Sequence, residues 1–382
     1  MGLRIERVSL RNFRNYRDFA LDDMGGLTIL VGPNAVGKTN VVEALQLLCA
    51  QGSFRHPRTD ELVLEGQRWA RAEARVVGDG RLLDLGFSVK EGRRSHDLNG
   101  KTRPASELRG LVPAVVFTPD DLDLAKGPMG RRRDAVDAVG SQLSSNHHLI
   151  KRDFEKVLQH KNRLLRDEAP QDLVDSIDEL MVTCGAQLCA YRSALVRRLG
   201  QRMTACYADI VADSSPAGGA GCEKLEVCYV PSWEEYDPRT PRHFEFTREE
   251  AREAIEDALV RRRAEERERR RCLVGPHVDK ISFFLAGRNV ASFASQGQQR
   301  SVVLAFKIAE ASLVEEMLGQ KPVLLLDDVM SELDAARRRS LVDFILASTQ
   351  SVITSTTLEY FEPDLVARAQ LVRLPYEKEG SS

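Results

Sequence analysis

The hydrophobic and polar positions of the chain change their period several times, and each change predicts a different kind of element. Residues 3–13 alternate between apolar and polar side chains, as the residues of a half-buried strand do. The apolar run LTILVG at 27–32 leads through a glycine-containing loop into a helical pattern, NVVEALQLLCA, at 40–50. Between 69 and 117, alternating segments are separated by glycine turns such as GDG and LNGK, which is typical of antiparallel hairpins.

The middle of the chain has a helical pattern instead. Over residues 131–210, apolar residues recur every three or four positions in an otherwise polar sequence. The composition of 211–223 predicts a loop, and LEVCYV at 225–230 predicts a strand. A long charged helix follows at 247–271. Opposite charges lie three or four residues apart in it, and its thin apolar stripe favours a surface position.

These patterns predict an α/β protein made of two parts. Short strands and helices occupy 1–130 and return at 272–382, and we expect these two segments to form one head with an antiparallel β subdomain. The mainly helical segment 131–271 is then an arm inserted into that head. A chain of 382 residues, 42% of them hydrophobic, is long enough to bury a core in each part.

The composition argues against a membrane-spanning or secreted protein. No run approaches the ~18 consecutive apolar residues of a membrane helix, and the charged, alternating N-terminus does not resemble a secretory signal. The seven cysteines contain no CxxC pair. Free thiols in a reducing compartment are therefore expected rather than disulfides or a zinc site. We predict a cytoplasmic protein.

The strongest local signal for chemistry is the segment GPNAVGKT, which fits the pattern GxxxxGK[ST]. It lies between a predicted strand and a predicted helix, where glycines let backbone N–H groups wrap a phosphate at the helix N-terminus. Lys38 would place a positive charge on the β- and γ-phosphates, and the Thr39 hydroxyl would bind Mg²⁺. The predicted nucleotide-binding residues are Gly32, Pro33, Asn34, Ala35, Val36, Gly37, Lys38 and Thr39.

A second motif supplies carboxylates for the metal. VLLLDD at 323–328 reads as a fully apolar strand that ends in two acids. A protein with a phosphate loop places its Mg²⁺ carboxylate at the C-terminal end of such a strand. Asp327 is therefore the predicted metal ligand, and Asp328 is the predicted catalytic residue that orients or deprotonates the attacking water. Two adjacent acids could instead stabilise the N-terminus of a following helix.

A second anion site is predicted upstream of that strand. Ser295 and Gly297 open a long helical pattern, SQGQQRSVVLAFKIAEASLVEEML. A serine and a glycine at a helix N-terminus can offer a hydroxyl and N–H groups to an anion. Since the loop at Gly32 already cradles the phosphates, the second site predicts an ATP that is held from two sides. The segment SELD at 331–334 follows the two acids at once.

Charge is informative in its distribution rather than in its sum. The net charge is −2, which by itself argues neither for nor against binding of nucleic acid. Local arginine clusters can still neutralise phosphates on a near-neutral protein, although each could equally be a solvated helix face. The clusters are Arg11–Arg17, Arg131–Arg133, Arg261–Arg271 and Arg337–Arg339.

Taken in this order, the phosphate loop, SQGQQ, LLLDD and SELD resemble the ATPase head of the ABC superfamily. The stretch between Lys38 and Asp327 is long for a transporter ATPase, and too short for the long coiled coils of the chromosome-organising relatives. Over nearly the whole chain the sequence resembles the RecF family of bacterial recombination mediators. The segments that carry this resemblance are LRNFRNY, SFRHPRTDELV, FTPDDL, GPMGRRRDAVD, VGPHVDK, ASQGQQRSVVLAFKIAE and VLLLDDVMSELD.

The resemblance implies a mechanism. In the ABC superfamily the signature of one head contacts the γ-phosphate bound to the other head, so ATP holds a homodimer together. By resemblance, the signature residues are Ser295, Gly297 and Gln298, and Ser331 and Asp334 belong to the D-loop. The RecF resemblance further implies that ATP and Mg²⁺ close the dimer on duplex DNA near single-strand gaps. It implies help for RecR and RecO in loading recombinase, a part in the SOS response, and weak, DNA-stimulated hydrolysis that resets the dimer.

Some positions depart from the wider superfamily. Asp328 stands where transporters carry glutamate, and Thr354 lies on the strand that usually ends in a switch histidine. No convincing Q-loop glutamine is found, although residues 117–121 lie about where one is expected. These departures favour slow turnover and switch-like use of ATP. They also argue against a membrane-transporter subunit, while a stand-alone nucleotidase or kinase would not need a signature helix.

Contacts to DNA are predicted on a basic loop after the first helix. The segment SFRHPR supplies Arg55 and Arg58, with help from Arg131, Arg132 and Arg133. Arginine binds phosphate geometry strongly and without regard to base sequence, which suits a protein that acts at any gap. In the alternative, the two loop arginines only brace the head through salt bridges to Asp60 or Glu61. A DNA path along the basic arm helix at 261–271 is the other alternative.

Overall fold

A computed structural model describes residues 2–49, 52–212 and 223–375 of the chain. The strands are β1 (Arg4–Phe13), β2 (Tyr16–Leu21), β3 (Leu27–Val31), β4 (Trp69–Gly78), β5 (Arg81–Lys90), β6 (Arg93–Leu98), β7 (Lys101–Arg103), β8 (Ala114–Phe117), β9 (Leu225–Val230), β10 (Lys280–Leu285), β11 (Arg288–Asn289), β12 (Val323–Asp327), β13 (Ser351–Ser355) and β14 (Gln370–Arg373). Most of the loop predicted at 211–223 lies outside the described residues, and its first two residues end a helix.

The helices are distributed between these strands, with α3 to α6 in succession. They are α1 (Lys38–Leu48), α2 (Ala105–Leu108), α3 (Asp123–Lys126), α4 (Met129–Leu143), α5 (Ser145–Arg166), α6 (Gln171–Ala212), α7 (Arg248–Arg269), α8 (Val290–Phe293), α9 (Gln296–Leu318), α10 (Ala335–Ala347) and α11 (Pro363–Arg368). Short 3-10 turns lie at Asp60–Leu62, Pro119–Leu122, Pro276–Val278 and Val329–Glu332. Within the described residues, no helix is long and apolar enough to cross a membrane.

The chain divides into two compact units, Met1–Asp121 with Glu310–Ser382, and Leu122–Ala309. The first unit contains a parallel sheet in the order β14-β3-β13-β12-β8. Its central strands β3, β12 and β13 are buried along their whole length, as expected of apolar strands covered on both faces. Because parallel strands end at the same edge, the residues after β3 and β12 lie near each other.

An antiparallel sheet completes the first unit, in the order β2-β1-β4-β5-β6-β7. Ile5, Val8, Leu10 and Phe13 of β1 are buried, and the alternation predicted for this segment is interrupted by a register shift between Ile5 and Arg7. The apolar faces of this sheet, of α1 and of the parallel sheet share one hydrophobic core. That core fixes α1, and therefore the loop that precedes it, against the end of the parallel sheet.

The second unit is mainly helical. Helix α6 packs against α5 and α7, and a small antiparallel sheet in the order β11-β10-β9 lies within the same unit. A buried ion pair joins its helices, since Arg192 of α6 donates hydrogen bonds of 2.8 and 2.7 Å to the carboxylate of Asp137 in α4. Burial alone would raise the pKa of Asp137, but the Arg192 guanidinium holds it well below its usual range.

The predicted arm, 131–271, lies within the second unit, but this unit also takes in 122–130 and 272–309. The physical reason is strand pairing. Strand β9, inside the predicted arm, pairs with β10, which follows it, in a register from Lys280↔Val230 to Leu285↔Leu225. Such long-range pairing leaves no local pattern from which a boundary could be read. The assignment of a head and an arm as domains remains a prediction.

Candidate nucleotide-binding site

The segment Gly32–Gly37 forms the turn between β3 and α1, as its sequence predicts. Gly37 has a φ of 110°, and a Cβ there would lie 2.6 Å from Nδ2 of Asn15 and 2.8 Å from Oη of Tyr16. A Cβ on Gly32 would collide with the backbone carbonyl of Leu374. Only glycine therefore fits at these two positions of the loop.

Lys38 is buried at the start of α1, and its ammonium is held inside the loop. Its Nζ donates to the carbonyl oxygens of Gly32 at 2.6 Å and Pro33 at 2.7 Å. Burial lowers the pKa of Lys38, while the carboxylates of Asp328 and Asp327 favour its charged form. The positive charge is thus placed where the loop would wrap an anion.

The next residue connects the loop to the carboxylate strand. Oγ1 of Thr39 donates to Oδ1 of Asp327, the last residue of β12, at 2.9 Å. Thr354 of β13 donates to the same oxygen at 2.9 Å and accepts the backbone N–H of Asp328 at 2.9 Å. Burial raises the pKa of Asp327, and the two threonine hydroxyls, Arg55 and Lys38 oppose that rise. The residues of both sequence motifs therefore meet at one point.

Asp328 lies at the mouth of this arrangement in an uncommon backbone conformation. Its φ is 51°, in the left-handed region that non-glycine residues rarely adopt. Its Oδ1 is buried and has no hydrogen-bond partner among the described residues. Burial raises the pKa of Asp328, which Lys38 partly counters. A strained residue with an unpartnered buried oxygen is typical of a functional site.

These groups line a pocket of about 230 Å³. Its lining residues are Asn34, Ala35, Gly37, Lys38, Thr39, Asn40, Arg55, Asp328 and Thr354. A second cavity, of about 620 Å³, shares Asn40 and Arg55 with the first. It is lined in addition by Arg14, Asn15, Glu61, Val63, Leu64 and Glu65. The two cavities together offer a cationic, oxygen-rich pocket beside a larger polar and partly apolar one.

The oxygens present fit a Mg²⁺ ion that also binds phosphate. The Thr39 and Asp327 oxygens lie 2.9 Å apart, which matches the ~3 Å between neighbouring corners of an octahedron with bonds of ~2.1 Å. No cluster of three or more His, Cys, Asp or Glu able to hold a metal occurs among the described residues.

Sequence reasoning missed one residue that organises this region. Glu43 of α1 is buried, and its carboxylate accepts two hydrogen bonds of 2.8 Å from Arg14 and one of 2.5 Å from Ser53. Arg55 lies 3.7 Å from the same carboxylate and donates to Oδ1 of Asn40 at 2.8 Å. The sequence does carry a signal for Glu43, because an acidic residue in the middle of an apolar helix needs a buried partner.

The arginines predicted to contact DNA are placed differently from one another. Arg58 is 78% exposed and lies 3.5 Å from Asp60 and 3.2 Å from Glu61. These are the bracing pairs that the alternative interpretation expected, but exposed pairs of this kind contribute little energy. Arg55 instead lines the phosphate-loop pocket.

Arg132 is a correction to that prediction. It is 3% exposed, and its guanidinium donates to the carbonyl oxygens of Leu124 and Ala125 at 2.6 Å. The guanidinium of Arg132 therefore bonds to backbone groups inside the second unit, and the side chain is not on the surface. Arg133 donates to the carbonyl of Asp279 at 2.7 Å, while Arg131 keeps an exposed side chain.

The remaining predicted residues lie at helix ends. Ser295 and Gln298 cap the start of α9, with Gly297 in its first turn. The Ser331 hydroxyl donates to the carbonyl of Asp328 at 2.8 Å. Asp334 caps α10 by accepting the backbone N–H of Arg337 at 3.0 Å. Ser331 is thus linked to the catalytic candidate, whereas the contact of Asp334 in this chain is a helix cap.

Comparison with known proteins agrees with this geometry. A family model described as the RecF/RecN/SMC N terminal domain matches residues 4–378. The protein named DNA replication and repair protein RecF of Symbiobacterium thermophilum is 37% identical, over 95% of this chain and 93% of the relative. The protein of that name from a Picosynechococcus species is 33% identical, over 96% and 94%.

Solved structures give the same result. The recombination mediator protein RecF, described as RecF-ATPrS in the RecFOR pathway, superposes with a TM-score of 0.84 at 28% identity, covering 94% of each chain. An Smc head bound to the C-winged helix domain of ScpA has a TM-score of 0.51 at 14% identity, which shows likeness of fold alone. The predicted α/β fold of the ABC ATPase head type is confirmed by these neighbours. The chain belongs to the RecF family.

Proposed function

We propose that this chain is an ATP-dependent DNA-binding protein of DNA repair and replication, in which ATP closes two copies on duplex DNA near single-strand gaps. The observation that carries the proposal is the meeting of Lys38, Thr39, Asp327 and Asp328 around one pocket, with the Thr39 hydroxyl 2.9 Å from the Asp327 carboxylate. These residues come from two motifs at opposite ends of the sequence. The solved relative described as RecF-ATP, with a TM-score of 0.80, supports the same ligand.

We place the nucleotide across the two neighbouring cavities, which share Asn40 and Arg55. The phosphates would lie in the smaller cavity, where Lys38 supplies charge and the loop supplies backbone N–H groups. The base and ribose would lie in the larger one, between Asn15, Asn40 and Val63. Arg55 lines both cavities, so it is placed beside the path of the triphosphate.

Thr39 and Asp327 would hold Mg²⁺, which neutralises phosphate charge when it is bound. Asp328 would take the proton of the attacking water on its carboxylate, because this residue lines the pocket beside Lys38 and Thr39. The pKa of Asp328 is raised by burial, which makes it a better proton acceptor than an ordinary aspartate. Its backbone N–H donates to the Thr354 hydroxyl at 2.9 Å, which fixes the main chain that carries this carboxylate. We infer slow hydrolysis that resets the dimer.

The second copy would bring its own signature to the γ-phosphate. Ser295, Gly297 and Gln298 stand at the start of α9, where a hydroxyl and N–H groups suit an anion. Ser331 and Asp334 would face the partner next to the same site. The solved relative is described as part of the RecFOR pathway, which supports RecR and RecO as partners of this chain. A part in the SOS response belongs to the same proposal.

DNA contact is proposed for the exposed arginines. Arg58 and Arg131 keep exposed side chains, paired only with surface acids, and exchange of such an acid for a phosphate costs little. Arg55, 43% exposed on its side chain, could reach DNA only from the rim of the nucleotide pocket. We therefore expect Arg58 to contribute only to DNA binding, and Arg55 to contribute both to DNA binding and to nucleotide binding.

The proposal is tested by comparing the wild type with Lys38→Met. Loss of a charge-assisted contact costs about 2–3 kcal/mol, or ~30- to 150-fold in affinity. ATP should convert the wild type from monomer to dimer in sedimentation velocity and increase its affinity for gapped duplex DNA. Lys38→Met should stay monomeric, with unchanged circular dichroism. A variant that dimerises with ATP like the wild type would remove the basis of the assignment.

A further inference from the structure

The signature residues at the start of α9 are bonded to each other. The backbone N–H of Ser295 donates to Oε1 of Gln298 at 2.8 Å, and the backbone N–H of Gln298 donates to the Ser295 hydroxyl at 3.2 Å. This reciprocal cap satisfies donors that a helix N-terminus leaves unpaired. It also means that the Ser295 N–H, a donor that could bind an anion, is already occupied by the Gln298 side chain.

The other end of the Gln298 side chain is held by an acid. Nε2 of Gln298 donates to the carboxylate of Glu223 at 2.7 Å. Glu223 lies two residues before β9, and no lysine or arginine of the described chain lies within salt-bridge distance of it. Its neighbour Glu226 pairs instead with Lys224 at 3.1 Å. Glu223 therefore places an unneutralised negative charge directly on the signature.

We propose that Glu223 is an acidic latch on the signature, which sets how tightly a second copy closes over ATP. The inference rests on the proposed function, in which Ser295 and Gln298 meet the γ-phosphate of the partner. In the isolated chain the Glu223 carboxylate acts as a stand-in anion for the Gln298 amide and keeps Gln298 turned onto Ser295. Closure then requires that Gln298 exchange a carboxylate for a phosphate and release the Ser295 N–H.

The latch opposes closure in a second way, through charge. A carboxylate bonded to Gln298 stands close to any phosphate that Gln298 contacts. Two like charges about 6 Å apart in water repel enough to change an equilibrium about threefold. A dimer with two such sites would therefore close about tenfold less tightly than one that lacks the acid.

The test compares Glu223→Gln and Glu223→Ala with the matched control Glu226→Gln. The glutamine variant keeps the shape and removes the charge, whereas the alanine variant removes both. Dimerisation is measured by sedimentation equilibrium with a non-hydrolysable ATP analogue, and binding of the analogue is measured separately at concentrations where the chain is monomeric. We expect both Glu223 variants to dimerise about tenfold more tightly with unchanged monomer affinity. The Glu226 variant should match the wild type.

Two outcomes would overturn the latch. Dimerisation of the Glu223 variants equal to that of the wild type would show that the carboxylate does not oppose closure. Weaker dimerisation of these variants would make Glu223 a favourable contact instead. Failure of the proposed function is seen separately, since the wild type itself would then stay monomeric with the analogue, and the latch would fall with it.

Discussion

Replacement of Thr354 by valine tests how the two carboxylates of the site are held. The Thr354 hydroxyl is buried on β13, donates to Oδ1 of Asp327 at 2.9 Å and accepts the backbone N–H of Asp328 at 2.9 Å. Valine has nearly the same shape but can do neither. The variant therefore leaves one N–H without an acceptor and removes one of the two hydroxyls that stabilise the ionised Asp327.

The size of the effect follows from these two losses. A buried donor without an acceptor costs about 1–3 kcal/mol, and a bond to a carboxylate is worth a similar amount, so the free energy of unfolding should fall by about 2–6 kcal/mol. Asp327 already has a pKa raised by burial, and Thr354 lowers it. Thr354→Val should raise that pKa further. Mg²⁺ needs the ionised carboxylate. As the pH is lowered, Mg²⁺-dependent ATP binding should therefore be lost at a higher pH in the variant than in the wild type.

The sign of the pH effect on stability is fixed in the same way. A carboxyl group whose pKa is raised on folding makes a contribution that is present at low pH and lost as pH rises through the folded pKa. The variant, with the higher pKa, should therefore lose most stability near neutral pH, and its difference from the wild type should shrink as pH is lowered. Urea unfolding at about pH 7.5 and about pH 5 measures both quantities.

A matched control is available in the same sheet. Thr28 of β3 is equally buried, but its hydroxyl has only a contact of 3.3 Å with Gln370 and none with the carboxylates. Thr28→Val should cost less stability than Thr354→Val and should leave the pH dependence of ATP binding unchanged. Equal losses in the two variants, with equal pH profiles, would refute the role of Thr354 as the bridge between Asp327 and Asp328.

The other predictions concern the division of labour within the site. Asp328→Asn should bind ATP and dimerise normally but hydrolyse slowly, whereas Asp327→Asn should weaken Mg²⁺-ATP binding itself; identical titration and turnover data would contradict this. Ser295→Arg should prevent dimerisation in sedimentation while the monomer still binds ATP, and loss of monomer binding would place the signature in the same chain's site. Arg58→Ala should lower DNA affinity and reduce the salt slope by about one unit in fluorescence anisotropy without changing ATP affinity, whereas Arg55→Ala should lower both affinities.

The parts of the site that the sequence predicts are those encoded in short contiguous motifs. GPNAVGKT specifies its own turn, because Gly32 and Gly37 fit where no side chain can, and the apolar strand carries Asp327 to the sheet edge. The partners of these motifs were not predictable. The sequence marks Thr354 only as a departure from the usual switch histidine. Its bonds to Asp327 and Asp328 exist because β13 is parallel to β12, with Thr354 opposite Asp327.

The arginine run at 131–133 shows a different limit of pattern reading. All three residues looked equivalent as a cluster of charge. In α4 successive residues turn by about 100°, so one arginine of three adjacent ones faces inward. Arg132 is that residue, and its five donors suit a set of helix-end carbonyls as well as they suit phosphates. The direction in which each residue of α4 points relative to the core, rather than its charge, therefore determines which of these arginines lie on the surface.

Arg55 gives the clearest reason to revise the predicted DNA loop. Its guanidinium is joined to Asn40, which in turn donates to Asn15 at 2.7 Å, and Asn15 donates to the carbonyl of Val36 in the phosphate loop at 3.0 Å. The basic loop, α1 and the turn after β1 are thus connected by hydrogen bonds around the nucleotide pocket. Because Arg55 faces that pocket and Arg58 faces solvent three residues later, a phosphate in the pocket and a phosphate of DNA would act on the same short loop. With the DNA contact proposed for Arg58, coupling between nucleotide and DNA would need no long-range path through the fold.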